Sequence, residues 1–167
     1  MHASVYKCYA IEDKDRLKPY AVKLIRESDD EKKLAHKNEF TITKSLNNEN
    51  VIKSLEMFDN ELKGEIHIVM EYVEGIEVLD NIAEQPDGHY TEQQAKMFFR
   101  QVMQGIKYLH ENGVAHRDIK PQNLLCCKKN NRLVIVDFNV STKKKDTSFK
   151  MMTKTGTVAF SAPEIFT

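Results

Sequence analysis

The segment His116-Arg117-Asp118-Ile119-Lys120-Pro121-Gln122-Asn123 places a carboxylate, an ammonium and a carboxamide within one short, proline-containing loop. Fourteen residues beyond Asn123, Asp137 ends the apolar run Leu133-Val134-Ile135-Val136. That pattern is a buried strand delivering a carboxylate at its C-terminal edge. A carboxylate with an amide oxygen makes a hard-oxygen site suited to Mg²⁺, which keeps several waters and recruits phosphate oxygens as further ligands. A second carboxylate, that of Asp118, can accept a proton from an attacking hydroxyl. The Lys120 ammonium can neutralise charge on a moving phosphoryl group. Together these groups suit phosphoryl transfer, where the protein supplies positioning and charge stabilisation and little covalent chemistry.

The surrounding elements must hold these groups in place. Thr91-Glu92-Gln93-Gln94 is a capping box, a hydroxyl cap with Gln three residues on, and it opens a helix. Ala95, Phe98, Phe99, Val102, Ile106 and Leu109 give that helix a wide apolar stripe, read as core, and Gly113 stops it. Past the loop, residues 123–127 and 133–137 read as short strands around a polar turn at 128–131, and residues 139–157 show no usable periodicity. Toward the N-terminus, residues 5–9 and 20–25 read as strands joined by a charged turn. Residues 31–46 follow as a helix ended by Asn47-Asn48, with strands expected at 51–58 and 65–72 and a short helix at 78–84. The layout is α+β in two lobes: residues 1–74 form a mostly antiparallel sheet with one helix and a hinge, and residues 75–167 are mainly helical with small strand pairs.

Composition narrows the function classes. Lys and Arg number 25 against 25 Asp and Glu, a balance that argues against a basic nucleic-acid face. The longest aliphatic run, residues 133–136, is far short of the roughly 20 apolar residues that span a bilayer. Neither nucleic-acid binding nor membrane insertion is expected. Three cysteines, two of them adjacent, form neither a disulfide framework nor a zinc spacing; reduced thiols in a cytoplasmic or nuclear protein are expected. The histidines show no metal spacing: His116 reads as a packed support for its loop, and the others as surface or capping groups.

His-Arg-Asp-Ile-Lys-Pro-Gln-Asn, followed by Asp137-Phe138-Asn139 and Ala162-Pro163-Glu164, and preceded by Ala21-Val22-Lys23, resembles the eukaryotic protein kinase signature set in order and spacing. The resemblance covers essentially the whole chain. It implies that Asp118 is the catalytic base, that Lys120 contacts the γ-phosphate of ATP, and that Asn123 and Asp137 hold Mg²⁺. It also implies that Lys23 pairs with the α- and β-phosphates and with Glu39. The backbone of Glu71 and Val73 in the hinge would bond adenine, with Val5, Ala21 and Leu125 around the ring and Met70 on the pocket wall. Arg117 beside Asp118 suggests control by an upstream activating kinase, with Thr153 and then Thr155 as acceptors. Thr157 is expected to bond Asp118 and Lys120. Lys120 and Gly156-Thr157 resemble the serine/threonine branch acting on protein substrates, and the general look is similar to calcium/calmodulin-dependent-like kinases.

Three departures stand out. Only Ala3-Ser4-Val5 resembles part of the glycine-rich phosphate loop. Asn139 stands where the family has glycine, and asparagine is the non-glycine residue that best tolerates positive φ. The chain ends at Thr167, just past Ala-Pro-Glu. The domain is therefore expected to be incomplete at both ends, and the isolated chain to fold poorly or aggregate, because several large side chains would stay wet. The alternative function is a nucleotide-binding pseudokinase or regulatory fragment without turnover. Asn139 and the absent glycines point toward it; Lys23, Asp118, Asn123 and Asp137 point away. A small-molecule kinase is disfavoured by Gly156-Thr157 and Ala-Pro-Glu.

Overall fold

Successive side chains of the extended segment Pro19–Arg26 point to opposite faces, and the buried face carries Ala21, Lys23 and Ile25. The computed structural model describes residues 2–143 and 156–165 and divides into two units: Met1–Asn47 with Ile52–Val73, and Asn48–Val51 with Glu74–Thr167.

The first unit contains β1 (His2–Tyr9), β2 (Pro19–Arg26), α1 (Asp30–Ser45), β3 (Ser54–Asn60) and β4 (Glu65–Glu71). The strands form an antiparallel sheet in the order β1-β2-β4-β3. Its core is Ile25, Ile66 and Ile68, with Phe40, Met57 and Met70 packed against them. Helix α1 is capped by the Asp29 side chain, which accepts from the Glu31 and Lys32 N–H groups. Such a cap satisfies donors that the first helical turn leaves unpaired. The buried face of α1 carries His36, Glu39, Ile42 and Thr43, and the Thr43 hydroxyl meets that of Ser54 at 2.7 Å, tying the helix to β3.

The strand expected over residues 51–58 begins later, at Ser54. Residues 48–51 belong to the second unit. Val51 forms a parallel bridge with Ile135, the Asn50 carbonyl accepts from the Ile135 N–H at 2.9 Å, and the Asn50 side chain donates to the Leu133 carbonyl at 2.8 Å. Val51 and Ile52 are apolar and β-prone, so the sequence pattern runs on across Val51, which is bridged instead to Ile135.

The second unit runs through β5 (Gly75–Glu77), α2 (Val78–Ala83), α3 (Glu92–Glu111), β6 (Val114–Ala115), β7 (Leu124–Cys127), β8 (Leu133–Ile135) and β9 (Thr142–Lys143). The capping box is present: the Thr91 hydroxyl accepts from the Gln94 N–H at 3.2 Å, and the Gln94 side chain accepts from the Thr91 N–H at 2.8 Å. The order β5-β7-β8 makes a small sheet, and β6 pairs with β9. β5, β6 and β9 are only two or three residues long, too short for periodicity to reveal. Gly75 is required where it stands, since a Cβ there would lie 2.4 Å from the Cys126 carbonyl oxygen. The stripe on α3 is core only in part. Phe98 is 7% exposed, whereas Phe99 is 67% exposed.

Candidate active site

In the first unit strand register sets which candidate residues share a face. Val5 lies opposite Lys23 on β1 and β2, and on β4 Ile68 lies opposite Lys23 and Met70 opposite Ala21. Cross-strand partners share a face, so Val5, Ala21, Lys23 and Met70 fall on one side of the sheet. Lys23 is buried with its Nζ 2.7 Å and 3.0 Å from the two oxygens of Glu39. Burial opposes ionisation of Glu39, but a hydrogen bond from His36 and the charge and hydrogen bond of Lys23 outweigh it and hold the carboxyl below its ordinary range. His36 corrects the surface role expected for it: it is 2% exposed, with Nδ1 3.5 Å from Glu39. The signal was its place three residues before Glu39, on the same helical face. At the end of β4 the Glu71 N–H is donated to the Lys53 carbonyl at 3.0 Å, so that donor is already engaged within the protein. Val73 is half-buried.

In the second unit Asp118 is the centre of a network. Lys120 Nζ lies 2.8 Å from Asp118 Oδ2 and donates to the Thr157 hydroxyl at 2.8 Å. Thr157 donates to Asp118 Oδ1 from its N–H at 2.9 Å and from its hydroxyl at 2.7 Å. Burial raises the Asp118 pKa, yet the hydrogen bonds from Lys120 and Thr157 and the Lys120 charge overcome this, and the carboxyl sits below its ordinary value. The Asn123 amide nitrogen donates to the Asp118 carbonyl at 2.8 Å and to Oδ2 at 3.1 Å.

The loop is pinned from beneath. His116 is buried and Nε2–H donates to the Val136 carbonyl at 3.0 Å, so Nδ1 is left as acceptor and takes the Asp118 N–H at 3.3 Å. Its ring stands edge-on to Phe138 with centroids 4.6 Å apart. One histidine thus fixes the backbone before Asp118 and the residue after Asp137. β8 ends at Ile135, two residues short of the strand expected to reach Asp137, and the Val136 N–H donates to the Asn123 carbonyl at 3.0 Å, which brings Asn123 alongside the segment leading to Asp137. Asp137 has left-handed φ (64°), as does Arg117 (71°). Asn139 does not, so the positive φ that asparagine would tolerate falls instead on Asp137. The Asn139 side-chain amide donates to Asp137 Oδ1, a contact the spacing alone did not suggest.

The donor chemistry fits a hard cation. Asn123 spends its amide nitrogen on Asp118, which orients the carbonyl end of the amide for other work. Among the described residues no three or more His, Cys, Asp or Glu side chains gather as a metal cluster. A cation here would draw on Asn123, Asp137 and oxygens of ligand and water, the manner in which Mg²⁺ is held beside phosphates. Gly156 sets Thr157 in place: its φ is 110°, and a Cβ there would meet the Arg117 carbonyl oxygen at 2.4 Å. Leu125 is half-buried on β7. Thr153 and Thr155 lie outside the described residues.

Among known families, the protein kinase domain matches residues 2–167. The chain belongs to the protein kinase family. It is 38% identical to calcium/calmodulin-dependent protein kinase type IV of Mus musculus over 163 residues, which cover 96% of this chain and 33% of that protein. It is 38% identical to calcium/calmodulin-dependent protein kinase type 1 of Caenorhabditis briggsae over 153 residues, 87% of this chain and 40% of the relative. A probable serine/threonine-protein kinase of Dictyostelium discoideum, fhkE, is 40% identical over 134 residues, covering 78% of this chain and 18% of its own length. The kinase chain described here thus spans about a third of the length of the type IV relative. The resemblance to the calcium/calmodulin-dependent subgroup agrees with these relatives. No helix among the described residues is long and apolar enough to cross a membrane.

Proposed function

We propose that this chain is the catalytic part of a serine/threonine protein kinase, transferring the γ-phosphate of ATP to Ser or Thr hydroxyls of protein substrates with Mg²⁺ as cofactor. The observation that carries the proposal is the Asp118 network. An ionised carboxylate held by Lys120 and Thr157 is a base that stays aimed while it takes the proton of an incoming hydroxyl. Lys120, already against that carboxylate, is placed to offset charge on the transferring group. Asn123 and Asp137 would hold Mg²⁺, which when bound neutralises phosphate charge and leaves the protein to position the reactants. Lys23, its ammonium paired with Glu39, would hold the α- and β-phosphates. The sheet face of Val5, Ala21 and Met70, with the hinge backbone of Glu71 and Val73, would take the adenine. Control by an upstream activating kinase acting at Thr153 or Thr155, and a cytoplasmic or nuclear setting, belong to the same proposal.

The test is transfer of labelled phosphate from ATP and Mg²⁺ to basic peptides that differ only in carrying Ser, Thr or Tyr. Label on the Ser and Thr peptides alone is expected. Label on the Tyr peptide alone, or nucleotide binding with no transfer to any, would overturn the proposal; the second outcome is that of the pseudokinase.

A further inference from the structure

Asn139 replaces the glycine of the family pattern, and phosphoryl transfer as described gives it no part. Relief of backbone strain is not its purpose, since its φ lies outside the left-handed region. Its side-chain amide instead donates to Asp137 Oδ1. The residue between them is immobilised. Phe138 is 1% exposed, its ring is braced edge-on by His116, and its carbonyl accepts from the Ser141 N–H at 3.0 Å. Asp137 itself sits in a left-handed conformation that a non-glycine residue keeps only when its surroundings impose it. Backbone and neighbours therefore fix where the Asp137 side chain starts, and the Asn139 donor fixes how its carboxylate is turned. Outer hydrogen-bond partners of metal-holding carboxylates act in this way, and their loss typically costs about 10- to 100-fold in metal affinity.

From this contact we infer that Asn139 is a positioning residue for the divalent metal ion, orienting the Asp137 carboxylate before the ion arrives. The inference rests on Asp137 holding the metal. It runs opposite to the view that Asn139 damages the site, and the two make contrary forecasts for restoring glycine.

The experiment is Mn²⁺ titration of the full chain in the presence of ADP, with free Mn²⁺ read by electron paramagnetic resonance. It compares wild type with Asn139→Gly, Asn139→Leu and Asp137→Asn. Both Asn139 variants are expected to bind Mn²⁺ about tenfold more weakly, while ADP binding in EDTA stays at the wild-type value, which a general loss of structure would not allow. The leucine variant keeps the side-chain bulk without the donor and decides the matter should the glycine variant unfold. If Asp137→Asn leaves Mn²⁺ binding unchanged, Asp137 does not hold the metal and the inference falls with that assignment. If Asp137→Asn weakens binding but Asn139→Gly leaves it unchanged or tightens it, the positioning role alone is overturned.

Discussion

Lys23 and Glu39 show what a single buried pair demands. Their side chains are 10% and 7% exposed, so each relies on the other to offset the cost of leaving water. Lys23→Met alone strands an anion and should cost about 3 kcal/mol of stability, seen as a lower denaturant midpoint. Adding Glu39→Leu removes the stranded charge and should recover most of that loss, while phosphate transfer stays absent in both variants. The pH response follows from the direction of the shifts. Asp118 and Glu39 have folded-state pKa values below their ordinary ones, so the stability they contribute is complete above the unfolded values, near pH 4. It is lost as the pH falls through the folded values. Glu39→Gln should therefore be less stable than wild type at pH 7, yet lose less between about pH 5 and pH 2 in acid titrations followed by circular dichroism.

The loop and turn elements act as jigs for these side chains. Gly156 is the most sensitive point, because its φ of 110° and the Arg117 carbonyl oxygen 2.4 Å from any Cβ both exclude a larger residue. Gly156→Ala should pull Thr157 away from Asp118 and lower transfer about 100-fold through misplacement, with ATP affinity in a binding assay unchanged. Much of this scaffold is legible from sequence. The capping box at Thr91, the charged loop from His116 to Asn123 and the apolar run before Asp137 are local patterns, and local patterns survive folding. What escapes sequence reading is decided by distant partners. Val51 looks like the start of β3 but is drawn to Ile135. β5 and β9 are strands only because β7 and β6 lie beside them. His36 looks like an exposed helical histidine until Glu39 is seen to be buried against Lys23. The contact of Asn139 with Asp137 depends on a backbone angle that residue type does not announce.

At the scale of the molecule, the described surface keeps large apolar groups in water, among them Phe99 at 67% and Met103 at 48% exposure on α3. Each such side chain forgoes roughly 1.5–3 kcal/mol available on burial, and contiguous patches of this kind promote association. The isolated chain should bind a hydrophobic dye and self-associate on size-exclusion chromatography, and Phe99→Lys with Met103→Lys should reduce both. All of these features serve one claim, that the chain moves phosphate with Asp118 as the base. The most direct measurement is the transfer rate and the ATP dissociation constant of wild type beside Asp118→Asn. The account predicts a fall in rate of about 100-fold or more with nucleotide affinity within about twofold of wild type. Equal rates in the two proteins would contradict it.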